Sequence, residues 1–391
     1  WSSPATALWA ILLLFPGFNT LLCVQGATLL VEEGGPIPTI QEALDIVRPG
    51  DTIRISSGNW FEDLETKTDG TASNRITIRG DGGADNRDNV VLRGAGSSSR
   101  VFQLKHDYYT LKDFTIDGKV EDEPVDQDEY NDLYKSRGGD AFEEAYRDIL
   151  LYVTHRREST IRDGGYRSAL DGLVVKNMVI KNAGGECIRL RDFVTNADIV
   201  RNEIITCGVY DYVFRDDGGK NGEGIYIGTA ENQWDDDKNF SDEPDQCRGN
   251  VVRGNLIMTN GNEGVDIKAG SVDTVIKNNE IHMQLDVDSG GINSNGDTTI
   301  IKNNLIMNAS GAGVRLGGVT VDGVTYGLES QVFGNTLENC LSYGVKVMIS
   351  PQGEICDNHI ILPLGVDEDD YRFSGGDFES DYPDPQRPCD D

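Results

Sequence analysis

The sequence predicts an all-β chain folded as a right-handed parallel β-helix, a solenoid of stacked short strands with an N-terminal capping helix and a partly helical loop insertion. Two short motifs recur at intervals close to the length of one solenoid coil. A helix with a capping signature precedes them, where a solenoid needs a cover for its apolar end. These observations assign residues 27–365 to the β-helix and residues 39–47 to the capping helix.

The first motif is an Asn followed two residues later by an aliphatic residue, inside a short apolar strand. Most successive copies lie 23 to 31 residues apart, and one gap of 53 residues holds two coils or one coil with a long loop. An Asn at a coil corner can bond to the backbone of the next coil, so we interpret this column as structural. The motif occurs at Asn177, Asn202, Asn255, Asn279, Asn304, Asn335 and Asn358.

The second motif is a Gly-rich turn followed by an alternating strand. In a strand, successive side chains point to opposite faces, so every second residue faces the core. The aliphatic residues of these strands then point inward, and the strands of neighbouring coils stack into a parallel sheet. The residues expected on the outer face are Arg189, Tyr226, Asp266, Asn293, Arg315 and Lys346.

The remaining elements follow from local signals. Thr39 and Glu42 form a capping box that opens a helix, and Pro49 ends it. Strands are expected at residues 52–56, 75–79, 90–93, 101–104 and 109–117. Residues 119–167 interrupt the repeat, and we predict there a loop insertion with a helix around residues 141–155.

The two ends of the chain indicate export. Residues 1–26 contain a short apolar stretch before small residues, which predicts a signal peptide. Six cysteines follow it, which allows disulfides whose pairing the sequence does not give, and sequons start at Asn239 and Asn308. Residues 366–391 are acidic and predicted to be disordered. We expect a secreted protein, extracellular or in a cell wall, with no membrane span.

The formal net charge of −31 limits the partners. Nucleic acids bind to basic surfaces, so we expect no nucleic acid partner. An acidic polysaccharide would also be repelled, unless a local basic patch or bound divalent cations reverse the field. The exposed ends of a solenoid offer a further contact, self-association through unpaired strands.

Several stretches resemble secreted β-helix proteins of the pectate-lyase-like superfamily, and most closely the branch with family 6 and family 9 polysaccharide lyases. The resemblance covers about residues 27–362 and implies the fold more specifically than the activity. It rests on ALDIVRPGDTIRISSGNW (43–60), DGTASNRITIRG (69–80), NEGVDIKAG (262–270), GAGVRLGG (311–318) and PQGEICDN (351–358).

The resemblance implies a Ca²⁺ site and a basic residue. Such lyases use a Lys to remove a proton next to a metal-bound uronate carboxylate, and carboxylates suit Ca²⁺ because it is a hard cation. By the Glu-to-Lys spacing of family 6, Lys268 is the implied base and Glu263 a Ca²⁺ ligand. Glu223 holds the same turn position one motif earlier, and Asp266 is a third candidate ligand.

The pattern departs from family 6 in one place. The family has an Arg on the coil after the Lys, where this chain has Asn293, and Arg315 one coil further could substitute. An unpaired Asp266 would also raise the pKa of Lys268, the wrong direction for a base unless a metal binds the carboxylate.

The outer column also forms a basic and aromatic strip on an acidic protein. Arg189, Tyr226, Asn293 and Lys346 could bind an acidic glycan, with Tyr226 stacking on a sugar ring. The alternative is that these residues are solvated charges or salt-bridge partners, and the same alternative applies to Lys268 and to the turn glutamates.

The favoured function is a secreted carbohydrate-active β-helix that binds an acidic polysaccharide and, if it is an enzyme, cleaves it by Ca²⁺-assisted β-elimination. The first alternative is a non-catalytic extracellular structural or glycan-binding protein. The second is a glycoside hydrolase, which needs two carboxyl groups about 5–9.5 Å apart. Asp266 with Glu223 or Glu263 could supply that pair.

Overall fold

The computed structural model is a solenoid of three parallel sheets. It describes residues 26–95, 99–119, 146–154, 160–161, 165, 167–209, 222–235, 239, 241–259, 261–365 and 384–390. Within these residues the sheets contain 11, 10 and 9 strands, and in each sheet the strands stack in chain order. Neighbouring strands of the three sheets pair in parallel. The predicted right-handed parallel β-helix is confirmed.

Each coil contributes short strands to these sheets. The eleven-strand sheet contains Thr28–Val31, Thr52–Ile55, Ile76–Gly80, Tyr109–Lys112, Val174–Lys176, Asp198–Val200, Val251–Arg253, Val275–Lys277, Ile300–Lys302, Gln331–Phe333 and Ile355–Cys356. The ten-strand sheet contains Gly58–Phe61, Val90–Arg93, Thr115–Asp117, Val179–Lys181, Glu203–Ile205, Leu256–Met258, Glu280–His282, Leu305–Met307, Thr336–Glu338 and His359–Ile361. The nine-strand sheet contains Leu64–Glu65, Arg100–Leu104, Ile149–Val153, Ile188–Leu190, Ile225–Ile227, Val265–Ile267, Gly290–Ser294, Ala312–Leu316 and Val345–Val347.

Smaller elements lie outside the three sheets. One parallel pair and two antiparallel pairs of strands occur among the described residues, together with two 3₁₀ helices. The pairs are Leu170–Asp171 with Val194–Thr195, Thr160–Ile161 with Arg167–Ser168, and Val319–Val321 with Val324–Tyr326. The 3₁₀ helices are Ala84–Asn89 and Glu231–Gln233.

The N-terminal cap forms as predicted. The helix Ile40–Ile46 begins at Thr39, whose side chain accepts a hydrogen bond from the amide of Glu42. Ile40, Ala43 and Leu44 are fully buried and pack into the same apolar cluster as the first coils. The helix therefore covers the apolar end that the first coil would expose to water.

The Asn column is a buried hydrogen-bond ladder at one corner of the solenoid. The side-chain oxygen of Asn255 accepts from the backbone amide and the side chain of Asn202, at 2.9 and 3.0 Å. The side chain of Asn255 donates to the carbonyl of Ile199 and to Asn279. The same pattern continues up the solenoid through Asn304, Asn335 and Asn358.

Asn177 does not belong to this ladder, which corrects the repeat at its first position. The amide of Met178 donates to the Asn202 oxygen, so Met178 holds the ladder position in its coil. Asn177 instead takes the preceding corner position, with a φ of 53°, where Arg201 has a φ of 54° and Gly254 a φ of 63°. Asn tolerates this left-handed conformation, so the same residue type suits both corner positions.

Replacing Asn255 with alanine is expected to destabilise the solenoid. The backbone amide and the side chain of Asn202 lose their common acceptor, and the carbonyl of Ile199 loses its donor. Each buried polar group left without a hydrogen bond costs about 1–3 kcal/mol of the free energy of unfolding. A lower midpoint of urea unfolding would show this effect. Asn59 is exposed on a strand of the same solenoid, so Asn59→Ala is the matched control and should leave the midpoint unchanged. Equal midpoints for both variants would contradict a stabilising ladder.

The predicted insertion at residues 119–167 is wrong in part, because it contains a strand of the solenoid. Ile149–Val153 is a fully buried strand that pairs with Arg100–Leu104 and with Ile188–Leu190. The helix expected around residues 141–155 is therefore not formed in its second half. The run ILLYV has apolar residues on both faces, which suits a strand covered on both sides. Residues 120–145 lie outside the described residues.

The C-terminal end of the solenoid is paired with a later segment of the chain. The amides of Asp357 and Asn358 donate to the carbonyls of Arg387 and Pro385, and a disulfide joins Cys356 to Cys389. The predicted disordered tail, residues 366–391, thus extends too far, because residues 384–390 are held against the last coil. Self-association through the solenoid ends stays a prediction.

A second disulfide and two free cysteines complete the set after the predicted signal peptide. Cys187 and Cys207 are joined, whereas Cys247 and Cys340 are free and buried. The signal peptide assigned to residues 1–26 falls almost entirely outside the described residues. In the whole part of the chain that the structure describes, no helix is long and apolar enough to span a membrane.

Candidate functional site

The outer face of the nine-strand sheet holds the predicted column in register. Each residue of the column is paired with the next across neighbouring strands, in the order Gln103, Tyr152, Arg189, Tyr226, Asp266, Asn293, Arg315 and Lys346. The alternating aliphatic residues between them are buried in the core, as expected. The observed register matches the expected inward and outward assignment in the six strands from Arg189 to Lys346. Gln103 and Tyr152 extend the column beyond the predicted residues.

Three glutamates form a second column, in the turn before these strands. Glu186, Glu223 and Glu263 are 2, 2 and 5% exposed. The amide of Cys187 bonds to the carbonyl of Glu223, and that of Gly224 to the carbonyl of Glu263, so the three turns stack directly. Neighbouring strands lie about 4.8 Å apart, so three like charges in one column repel one another unless cations intervene.

Glu223, Glu263 and Asp266 form a carboxylate cluster. One oxygen of each lies within 4.8 Å of the others, and all three residues are buried. Oxygens that bind one Ca²⁺ at about 2.3–2.6 Å cannot lie more than about 5 Å apart, so these distances fit a shared cation. Oε2 of Glu263 is buried and has no hydrogen-bond partner among the described residues, which leaves it available as a ligand.

The other contacts of these carboxylates leave an excess of negative charge. Glu186 pairs with Arg189 at 2.8 Å and Asp266 with Lys268 at 2.5 Å. Glu223 and Glu263 have no ion pair within the described part of the chain, although Ser289 donates a hydrogen bond to Glu263. Four carboxylates thus face two cations, and one divalent cation would balance the remaining charge.

Lys268 lies directly beside the cluster, at the end of the strand that carries Asp266. Its amine is 4.7 Å from the centre of the Tyr226 ring, and its side chain is 19% exposed. Burial alone would lower the pKa of Lys268, but Asp266, Tyr226 and the two cluster glutamates raise it well above its usual value. In the ion-paired arrangement the amine therefore carries a proton.

Tyr226 is almost entirely buried, which leaves little of its ring for the sugar stacking expected from the sequence. Arg189 lies 4.3 Å from the ring centre and Lys268 4.7 Å from it, and the two cations belong to the strands on either side. The residue is 5% exposed. Its ring is therefore part of a cation–π arrangement that holds Arg189 and Lys268 in place.

The column continues past the cluster through a chain of hydrogen bonds. Asn293 donates to Asp266 at 2.8 Å, and Arg315 donates to the side-chain oxygen of Asn293 at 2.8 Å. Arg315 is thereby linked to Asp266 through an amide and does not contact it. Lys346 is next in register and lies 5.5 Å from the ring of Tyr343. The basic part of the strip thus runs along the solenoid axis.

Metal-free protein should become less stable as pH rises toward neutrality. Burial and then the charge of Asp266 raise the pKa of Glu263 from 4.5 to about 7, and burial with Glu186 and Glu263 raises the pKa of Glu223. A raised carboxyl pKa stabilises the fold below the unfolded value, and this stability is lost as pH rises through the folded value. In chelator, the melting temperature of wild type should fall more steeply between pH about 4.5 and 7 than that of Glu263→Gln. Parallel curves would refute the assignment.

Three site features were not assigned from the sequence. Tyr152 enters the column because its segment is a strand, and Arg100 lies 4.0 Å from its ring centre. The contact of Ser289 with Glu263 joins two copies of the second motif, and the contact of Glu186 with Arg189 lies within one copy. Ser289 and Glu186 each stand in the turn before an alternating strand. That shared position is the sequence signal from which their contacts could have been predicted.

The two sequons differ in their surroundings. Asn239 accepts from Arg191 and donates to the carbonyls of Gln233 and Trp234, so a glycan there would break these bonds. Asn308 is exposed at a corner of the solenoid. Of the two predicted acceptors, Asn308 is the more exposed, and Asn239 is half-buried.

Comparisons with known proteins identify the fold. No family model matches the chain, and no curated protein is similar in sequence. Among solved structures, an alginate lyase from Paenibacillus sp. str. FPU-7 is 17% identical over 86% of this chain and 98% of its own, with a TM-score of 0.58. Pectate lyase Pel9A is 11% identical over 87% of this chain and 78% of its own, with a TM-score of 0.51.

An endo-xylogalacturonan hydrolase from Aspergillus tubingensis is 16% identical over 88% of this chain and 78% of its own, with a TM-score of 0.50. Identities this low establish a common fold and not a common reaction. The chain shares the parallel β-helix fold of these three structures.

Proposed function

We propose that this chain is a secreted enzyme that binds an acidic polysaccharide on the outer face of the nine-strand sheet and cleaves it by cation-dependent β-elimination. The observation that carries the proposal is the cluster of Glu223, Glu263 and Asp266, whose oxygens lie within 4.8 Å of one another beside Lys268. The fold is compatible with this chemistry, since the similar structures include an alginate lyase and a pectate lyase. The disulfides support export.

The cluster would hold Ca²⁺, because it offers carboxylate oxygens and no His or Cys. A bound divalent cation supplies positive charge that neutralises a uronate carboxylate and acidifies the adjacent C–H. The charge of the cluster would otherwise repel an acidic polymer, so cation binding and substrate binding are expected to be coupled.

Lys268 is the proposed base, and the contacts of Asp266 determine the pKa of its amine. While Asp266 pairs with Lys268, the amine is held in its protonated form. Once Asp266 serves as a cation ligand, Lys268 loses this partner and its pKa falls. The side chains of Arg189 and Tyr226 keep the amine near the cluster, so that it can take the proton from the substrate carbon.

Arg315 and Lys346 are proposed to bind further carboxylates of the polymer. They follow Asp266 and Asn293 in register along the solenoid axis. A linear chain that lies along this axis would meet the cluster first and the two cations next. Asn293 holds the guanidinium of Arg315 at 2.8 Å and so positions it for this contact.

A second candidate function is glycan binding without cleavage. The close Lys268–Asp266 pair favours it, because a permanently protonated lysine binds an acidic sugar but cannot act as a base. The hydrolase alternative uses the same carboxylates, since hydrolysis needs two carboxyl groups about 5–9.5 Å apart, and the products distinguish it from elimination.

The test is incubation with alginate, pectate and glycosaminoglycans, in Ca²⁺ and in chelator. β-Elimination produces an unsaturated uronate with strong ultraviolet absorbance, and we expect it only with Ca²⁺. New reducing ends without that absorbance would indicate hydrolysis. Binding to a glycan array without product in any condition would indicate the non-catalytic function.

A further inference from the structure

Two loops that follow strands of the nine-strand sheet meet in an aromatic contact, here called the bridge. The rings of Trp234 and Tyr326 form an edge-to-face pair, with centroids 5.4 Å apart and planes at 73°. Trp234 follows the strand Ile225–Ile227, and Tyr326 lies on the hairpin that follows Ala312–Leu316. Between these two strands the sheet has Val265–Ile267 and Gly290–Ser294, so the bridge spans two coils.

The loops leave the sheet at equivalent positions. Register extended by one residue aligns Gly228, Lys268, Asn295 and Gly317 at the ends of four successive strands. The first and last of these begin the two loops, and the middle two begin short turns. A Cβ on Gly228 would lie 3.2 Å from the Cβ of Lys268, so the first loop starts against the proposed base. The two loops therefore leave the sheet on either side of Lys268 and Asn295.

Each half of the bridge is anchored to the solenoid. The side chain of Gln233 accepts from Arg189 at 3.4 Å, and the indole of Trp234 donates to the carbonyl of Thr229. The carboxylate of Asp297 accepts from the amides of residues 327 and 328, both at 2.8 Å. These contacts fix both loops in the absence of a ligand.

The hairpin itself is a rigid element. Asp322 and Gly323 form its two-residue turn with φ of 50° and 79°, as the turns that match strand twist require. The hydroxyls of Thr320 and Thr325 lie 3.0 Å apart across the pair. Tyr326 is thus presented from a preformed strand, and it keeps part of its ring exposed, whereas Trp234 is 6% exposed.

We infer that the Trp234–Tyr326 bridge is the side wall of the polysaccharide groove and that Tyr326 is a specificity-determining residue, an inference that rests on the proposed function. The outer column is the floor of the groove, the turn glutamates lie at the strand starts, and the bridge lies at the strand ends. A glycan along the solenoid axis would contact the exposed part of Tyr326 while its uronates lie over Asn293 and Arg315. The wall selects for unbranched chains, since a side branch toward the strand ends would meet it.

The test compares Tyr326→Ala, Tyr326→Phe and Val324→Ala on alginate, pectate and hyaluronate oligosaccharides of defined length. Val324 is 52% exposed on the same hairpin, so its variant controls for damage to the hairpin. Tyr326→Ala should raise KM on these linear oligosaccharides roughly three- to tenfold with little change in kcat, because one aromatic contact is lost. It should also cleave the same oligosaccharides carrying single-sugar branches, which wild type should reject. Tyr326→Phe should restore wild-type KM.

Two outcomes would overturn the inference, and they differ in meaning. If wild type shows Lys268-dependent cleavage but Tyr326→Ala matches Val324→Ala in KM and in selectivity, the bridge is structural and the proposed function stands. If wild type neither cleaves nor binds any of the three oligosaccharides, the proposed function fails and the wall has no substrate to select.

Discussion

Replacing Lys268 with alanine should abolish the formation of unsaturated uronate. A positioned acid or base contributes typically 10²–10⁴-fold to the rate, so kcat should fall by about that factor while the binding of the polymer changes less. The reason is that Lys268 is the amine nearest the cluster among the described residues, with Asp266 at 2.5 Å. The initial rate of ultraviolet absorbance change measures the effect.

Lys346→Ala is the matched control for this prediction. Lys346 stands in the same outer column, two strands beyond Asn293, and lies next to Tyr343 instead of a carboxylate. Its loss should raise KM and leave kcat nearly unchanged. If Lys268→Ala and Lys346→Ala reduce kcat equally, Lys268 is a binding cation and another group removes the proton.

Removing the carboxylates of Glu223 and Glu263 together should eliminate stabilisation by Ca²⁺. In wild type, Ca²⁺ bound only to the folded state adds about 2.7 kcal/mol at a concentration 100 times the Kd, which is visible as a higher melting temperature. The Glu223→Gln/Glu263→Gln variant keeps the shape of the cluster but loses two buried carboxyl groups, whose pKa values burial and neighbouring carboxylates raise. Without Ca²⁺ this variant should be more stable than wild type at neutral pH.

Glu203→Gln provides a control outside the cluster. Glu203 is a partly exposed carboxylate of the ten-strand sheet and pairs with Arg87. Its variant should keep the Ca²⁺-dependent rise in melting temperature. A rise of the same size in the double variant would show that Ca²⁺ binds elsewhere on this acidic chain.

Repetition explains what the sequence predicted well. Ile225, Val265 and Ile292 occupy the same position in successive coils, so their alternation fixed both the core and the outer column. The turn glutamates were recognisable for the same reason, since Glu223 and Glu263 precede equivalent strands. Because neighbouring coils stack in register, equivalent turn positions lie next to each other, which places the two carboxylates in one cluster.

Interactions across the repeat were not predictable. The segment Ile149–Val153 has apolar residues that also suit a helix, and only pairing with strands on both sides selects the extended form. The cation–π contacts of Tyr226 join it to Arg189 and Lys268, which belong to the coils on either side, and no motif specifies side-chain contacts between coils. The Trp234–Tyr326 contact joins two loops of different coils, whose paths no motif specifies.

The most direct test of the central claim is diffraction from crystals of Lys268→Ala soaked with Ca²⁺ and an acidic oligosaccharide. We predict anomalous density for an ion about 2.3–2.6 Å from oxygens of Glu223, Glu263 and Asp266, with a uronate carboxylate beside it. An empty cluster, with the oligosaccharide bound on a different face of the solenoid, would contradict the account.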